Sequence, residues 1–264
     1  MQSRRPMPNV EESLPPNLKT DCRVLGGIPA RYGSSRLDGK PLVRLGSRTL
    51  IEHIHDRCLR AETVDDAVVA TDDERIARAV RDFGGKVVMT SANHRTGTDR
   101  LAEVASQVSS EIVVNTQCDS PLFPPEAIDL AVQALLEDPS LKMSTVAAPS
   151  RDEDEIRSAN SVKVVTDVKG DALYFSRSRL PGGAPGDGDI LLHIGIYVYR
   201  REFLLELAGR EQTPLEKKEH LEQLRVLEYG DRIRVVRIAE NPPGVHDMAD
   251  VEMVRKLLEK QAGG

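Results

Sequence analysis

Between Arg23 and Glu137 the chain alternates short apolar runs with longer amphipathic ones, and few folds accommodate that order. Residues 24–28, 67–71, 86–89 and 112–116 read as strands, and residues 50–61, 74–83, 98–108 and 125–137 as the helices between them. Apolar strands separated by helices predict βαβ units and a mostly parallel sheet, an α/β fold. Right-handed crossovers then bring the strand C-termini to one edge, where ligands gather.

Beyond residues 143–148 the pattern changes. Residues 162–166, 172–175, 193–199 and 232–238 read as strands with fewer helices between them, which predicts a mixed sheet and a protruding arm around 162–200. The Pro/Gly/Asp run 180–189 reads as a mobile loop, residues 214–225 as one helix, and residues 247–261 as a closing helix capped by Asp247, alone or with His246. Residues 1–20 carry Arg4, Arg5 and four prolines without an apolar core, so they are expected to be a disordered extension and not a secretory signal. Residues 21–264 are expected to form a single domain.

Several classes are excluded by composition. A net charge of −6 with 30% charged residues is wrong for a non-specific nucleic-acid binder. The absence of Trp, with 3% aromatic residues, removes base-stacking platforms. No apolar run approaches the ~20 residues needed to cross a bilayer. Cys22, Cys58 and Cys118 form neither a disulfide framework nor a zinc spacing, and a reducing cytoplasm is the expected location.

The chemistry is expected in the loop that leaves the first strand, residues 28–41, IPARYGSSRLDGKP. It holds two glycines, two serines and the cations Arg31, Arg36 and Lys40. Backbone N–H groups and cations there can cradle a polyphosphate, although the spacing fits neither Walker A nor a dinucleotide fingerprint. A solvated loop that binds nothing has the same composition.

Each later strand end carries a motif with a plain structural reading beside a functional one. Asp72, in Ala70-Thr71-Asp72, either accepts from a ribose hydroxyl or caps the helix near Glu74. In His94-Arg95-Thr96-Gly97-Thr98-Asp99-Arg100, Thr98 reads as a helix cap with Gly97 in the turn. In Asn115-Thr116-Gln117-Cys118-Asp119-Ser120-Pro121, Asp119 is placed to hold Mg²⁺ against triphosphate oxygens. Cys118 reads as a small buried thiol in preference to a nucleophile. His193, on an apolar strand, has the pattern of a satisfied core histidine, and Glu222 and Gln223 that of an exposed pair.

Together these motifs resemble the CMP-sugar-acid synthetases, above all the 3-deoxy-manno-octulosonate (Kdo) cytidylyltransferases, over nearly the whole chain from Val24. The resemblance implies a Rossmann-like nucleotidyltransferase fold and a homodimer paired through the arm. It implies that Ala30, Arg31, Gly33, Ser34, Arg36 and Lys40 wrap the phosphates of CTP, with Arg31, Lys40 and Asp119 catalytic. Asp72 is implied near the nucleotide, Thr96, Gly97, Thr98 and Gln117 near the cytosine, and His193, Tyr197, Glu222 and Gln223 around the acceptor acid. Cytosine presents an amine donor beside acceptor atoms, so its seat needs backbone donors and carbonyls in one plane.

Gly244-Val245-His246-Asp247 departs from the relatives' G-V-D-T, whose Asp is a second metal ligand. Imidazole is a poor Mg²⁺ ligand, so either Asp247 joins Asp119 after a one-residue shift or the site holds its metal differently. Residues 181–193 are also shorter than the corresponding segment of relatives, and Leu192 stands where they carry a basic residue. The reaction implied is attack of a small anionic acceptor on the α-phosphorus of CTP. The departures favour a compact phosphonate such as phosphonoformate as that acceptor, with Kdo as the alternative. A third possibility is a CTP-binding paralogue that has lost catalysis.

Overall fold

The computed structural model of the protein describes residues 14–33, 37–184, 186 and 188–262. Its first half runs β1 (Asp21–Ala30), a 3₁₀ turn (Lys40–Leu42), a small hairpin of β2 (Arg44–Leu45) and β3 (Arg48–Thr49), then α1 (Leu50–Leu59), β4 (Asp66–Thr71), α2 (Glu74–Asp82), β5 (Val87–Met89), α3 (Gly97–Gln107), β6 (Ser109–Thr116), α4 (Glu126–Glu137) and β7 (Met143–Ser150). The second half adds α5 (Glu153–Arg157), β8 (Val162–Thr166), β9 (Ala172–Ser176), β10 (Ile190–Arg200), α6 (Arg201–Ala208), α7 (Pro214–Glu219), α8 (Gln223–Glu228), β11 (Arg234–Arg237) and α9 (Met248–Ala262).

The main sheet has the order β11-β7-β10-β6-β1-β4-β5. β6, β1, β4 and β5 are mutually parallel, as is β11 to β7, while β10 runs antiparallel to both its neighbours. The central strands are apolar on both faces because helices cover both: every residue of β4 is buried. α1, α2, α4 and α9 contribute to the core on one face, and α3, α6 and α8 to the core on the other. Two glycines in β1 let those layers close. A Cβ on Gly26 would stand 2.5 Å from Cys58 Sγ of α1, and one on Gly27 2.6 Å from Leu101 of α3.

β10 makes the arm. Its second half pairs with β6 from Ile196 to Arg200, whereas Leu191–His193 pairs on the same edge with β8, which in turn carries β9. The strand irregularity between Ile194 and Tyr197 lies at this fork. Gly195 occupies it, and its carbonyl accepts from the Gln117 N–H at 2.9 Å. A cleft therefore opens where β6 and β8 diverge.

Four local expectations are corrected. α3 is capped by Thr96, whose hydroxyl accepts from Asp99 N–H, because Thr96 is extended and Thr98 is already inside the first turn. α2 is capped by Asp73 and not Asp72, its carboxylate accepting from Arg75 N–H. The helix expected over 214–225 is two helices, broken where His220 adopts a left-handed φ of 55°. The segment before β1 is held at least from Leu18, which is buried, and the Lys19 N–H donates to Asp66 at 2.8 Å. Residues 1–13 lie outside the described residues. α9 begins as expected after Asp247, whose carboxylate accepts from the Ala249 and Asp250 N–H groups.

Candidate active site

Two clefts meet at the C-terminal edge of β1 and β6. The smaller, about 330 Å³, is lined by Pro29, Ala30 and Arg31 at and just past the end of β1, Lys40 from the 3₁₀ turn, residues 94–97 leading into α3, and residues 117–119 after β6. The larger, about 800 Å³, lies at the arm fork and is walled by His193, Tyr197, Glu222, Gln223 and Arg177. Gln117, Asp119 and His246 line both.

The smaller cleft is cationic because of how the β1 loop closes. Gly39 takes a φ of 66° and its N–H donates to the Tyr32 carbonyl at 2.9 Å, a turn that glycine makes without a Cβ penalty. Lys40 follows directly and its ammonium pairs with the Asp119 carboxylate. Arg31, Arg95 and Arg100 also line this cleft, against Asp119 as its one carboxylate among the described residues. Such a balance suits a polyanion. On the opposite wall, a Cβ on Gly97 would stand 3.0 Å from Pro29, so any larger residue would push the first turn of α3 and β1 apart by a few tenths of an ångström.

Of the residues expected on the nucleotide, Ala30, Arg31, Lys40, Thr96, Gly97 and Gln117 converge here. Ser34 and Arg36 lie outside the described residues. Gly33 and Asp72 do not line the cleft; Asp72 pairs at 3.2 Å with Arg100, which does. Thr98 does not line it either: it is buried and donates its hydroxyl to Glu222 Oε2 at 2.8 Å, on the side of the larger cleft.

The larger cleft gathers His193, Tyr197, Glu222 and Gln223. The Thr145 hydroxyl donates to the Ile196 carbonyl at 2.7 Å and contacts His193 Nε2 at 2.8 Å. Its single proton is thus committed, so Nε2 is the donor and the ring is the neutral Nε2–H tautomer. Burial pushes His193 down to about 3, which keeps it neutral near pH 7. Glu222 and Gln223 are not an exposed pair. Burial raises the Glu222 carboxyl despite hydrogen bonds from Thr96 and Thr98. Gln223 accepts from the Tyr197 hydroxyl at 3.3 Å, while its buried Nε2 has no partner among the described residues.

Burial pushes the Cys118 thiol up to about 12, and Sγ lies 3.8 Å from the Pro29 carbonyl. It packs against the core beside the cleft, and a thiol so raised makes a poor nucleophile. Asp247 lines the larger cleft, but not the smaller one, and one of its oxygens is committed to the α9 cap. No group of three His, Cys, Asp or Glu side chains suited to a metal occurs among the described residues. Asp119 alone still fits a nucleotide-borne Mg²⁺, which takes one or two carboxylates together with phosphate oxygens and water.

Arg177 was not visible in the motifs. It follows β9 and is the one Lys or Arg lining the larger cleft among the described residues, against seven carboxylates. A basic residue just past a strand end, in Phe175-Ser176-Arg177-Ser178, was the available signal.

A mostly parallel sheet whose strand ends carry a cationic cleft beside a second, larger one is the arrangement of the α/β nucleotidyltransferase fold. The comparisons make the class specific. Residues 27–233 match the cytidylyltransferase family model. The chain is 49% identical over 245 residues to 3-deoxy-manno-octulosonate cytidylyltransferase of Geobacter sulfurreducens, covering 88% of this chain and 97% of that one. It is 45% identical to the enzyme of the same name from Protochlamydia amoebophila, covering 90% and 95%. A solved CMP:2-keto-3-deoxy-manno-octonic acid synthetase complexed with CTP superposes with a TM-score of 0.84 at 40% identity, over 90% of this chain and 99% of that one. A 4-diphosphocytidyl-2C-methyl-D-erythritol synthase from Anaerococcus prevotii, at 14% identity and a TM-score of 0.59 over 90% and 99%, shares the fold. The chain belongs to the cytidylyltransferase family.

Proposed function

We propose that the protein transfers CMP from CTP to 3-deoxy-manno-octulosonate, releasing pyrophosphate. The observation that carries the reading is Asp119, paired with Lys40 at the junction of a cationic cleft and a second, larger one. The names of the relatives favour the sugar acid over the phosphonate that the shortened arm segment suggested.

In this reading the triphosphate lies along Arg31 and Lys40, with the cytosine near Thr96, Gly97 and Gln117. Arg177 holds the acceptor carboxylate, and Tyr197 and Gln223 orient its hydroxyls. A hydroxyl oxygen, its proton passing to solvent, forms a bond to the α-phosphorus while the bond to the bridging β-phosphate oxygen breaks and pyrophosphate departs. Such chemistry is mostly positioning and charge neutralisation. Mg²⁺, when bound through Asp119 and phosphate oxygens, would supply further neutralisation of the phosphate charge. Neutral His193 orients and does not exchange protons near pH 7.

The test is pyrophosphate release with CTP and each acid. Turnover with Kdo and little with phosphonoformate is expected; the reverse would restore the phosphonate reading. CTP binding without turnover on either acid would favour the non-catalytic paralogue. A homodimer through the arm belongs to the same proposal. It is supported by the exposed apolar Val168 and Leu173, and sedimentation of a monomer at micromolar concentration would refute it.

A further inference from the structure

Lys163 is the most unusual buried group of the arm. The residue is 0% exposed, on β8 between β10 and β9. A lysine is rarely buried without a carboxylate, because an unpaired ammonium loses its hydration. No ion pair of Lys163 occurs among the described residues; its Nζ instead donates to three backbone carbonyls, those of Ser158 at 2.9 Å, Ser161 at 2.6 Å and Arg177 at 2.6 Å. All three acceptors belong to residues that line the larger cleft.

These bonds converge on Arg177. The guanidinium Nη1 donates to the Ala159 carbonyl at 2.8 Å, in the loop that Lys163 grips at Ser158 and Ser161, and Nε donates to the Glu219 carbonyl at 3.3 Å. Lys163 therefore fixes both the backbone that carries Arg177 and the loop on which its side chain rests. The guanidinium partners are neutral carbonyls, so its charge stays unspent by any ion pair among the described residues. In a wall otherwise rich in carboxylates, an anionic acceptor depends on where that one cation points.

We propose that Lys163 is a positioning residue for the acceptor, acting through Arg177 to hold the cation that receives the acceptor's carboxylate. The proposal rests on the reading of the larger cleft as an acid-binding site. It also accounts for an ammonium in the floor of the arm: three carbonyls from two loops need a donor with three hydrogens, and lysine supplies them.

The experiment compares the full-length wild type, Lys163→Met, Arg177→Gln and the double variant, measuring the KM for Kdo by pyrophosphate release and the Kd for CTP by calorimetry. Lys163→Met is expected to raise the KM for Kdo at least tenfold while the Kd for CTP stays within twofold. In the Arg177→Gln background the same change should add less than twofold. A general loss of structure would instead raise both constants together, and an independent role would multiply the two effects; either result, or an unchanged KM, overturns the proposal. If Lys163→Met does not fold, Lys163→Gln, which keeps an amide donor, is judged by the same constants. A wild type that turns over CTP with another acid but not with Kdo would refute the acceptor reading. Lys163 is then judged on that acid, so the two failures stay distinct.

Discussion

Lys40 and Asp119 carry the largest expected effects of single substitutions. Lys40 is nearly buried, so its charge is poorly screened and acts strongly on whatever enters the cleft. Lys40→Met is expected to lower kcat/KM by roughly 10²- to 10³-fold, the usual cost of removing one preorganised charge-stabilising donor; steady-state pyrophosphate release measures it. Cys118→Ser should leave kcat within about threefold, because a thiol raised by burial offers no nucleophile; a hundredfold loss would restore it to the chemistry. The basic loop and Asp119 were legible in sequence because their chemistry is written in residue type. Thr98 lies away from its expected place for a physical reason: a hydroxyl two positions into a helix can turn toward either cleft, and only packing decides that it meets Glu222.

The N-terminal turn of α3 makes a sharper prediction than any other element. Gly97→Ala places a methyl against Pro29 and should raise the KM for CTP several-fold, with little change in the KM for the acceptor. Thr96→Ala removes the cap and should cost about 1 kcal/mol of stability, read from denaturant melts. Strands and helices of the first half were readable because both faces of the sheet are covered, which makes period and composition agree. Helix caps and the break at His220 were less so, since Asp72 and Asp73, or Thr96 and Thr98, are equivalent until the chain direction is fixed. The arm residues Lys163 and Arg177 gave no periodic signal, because their partners are loop carbonyls, near in sequence at Ser158 and Ser161 and far at Glu219, which strand periodicity does not mark.

For the whole molecule, His193 predicts a pH response. Its folded-state pKa lies below the unfolded value of about 6.5, so its contribution is complete above that value. It is lost as the pH falls toward about 3. The slope from this group approaches 1.4 kcal/mol per pH unit. Thermal melts of the wild type from pH 7 to 4 should therefore decline more steeply than those of His193→Asn; parallel curves would contradict the burial argument. The shared strand β10 has a broader consequence. One continuous ribbon reports to the nucleotide half through its C-terminal residues and to the acceptor half through its N-terminal ones. Side chains alternate along it, so an inserted residue would invert every contact on one half. New acceptor preferences are thus more accessible through the loops at 158–161 and 180–189, whose lengths can change without disturbing how Gln117 meets Gly195.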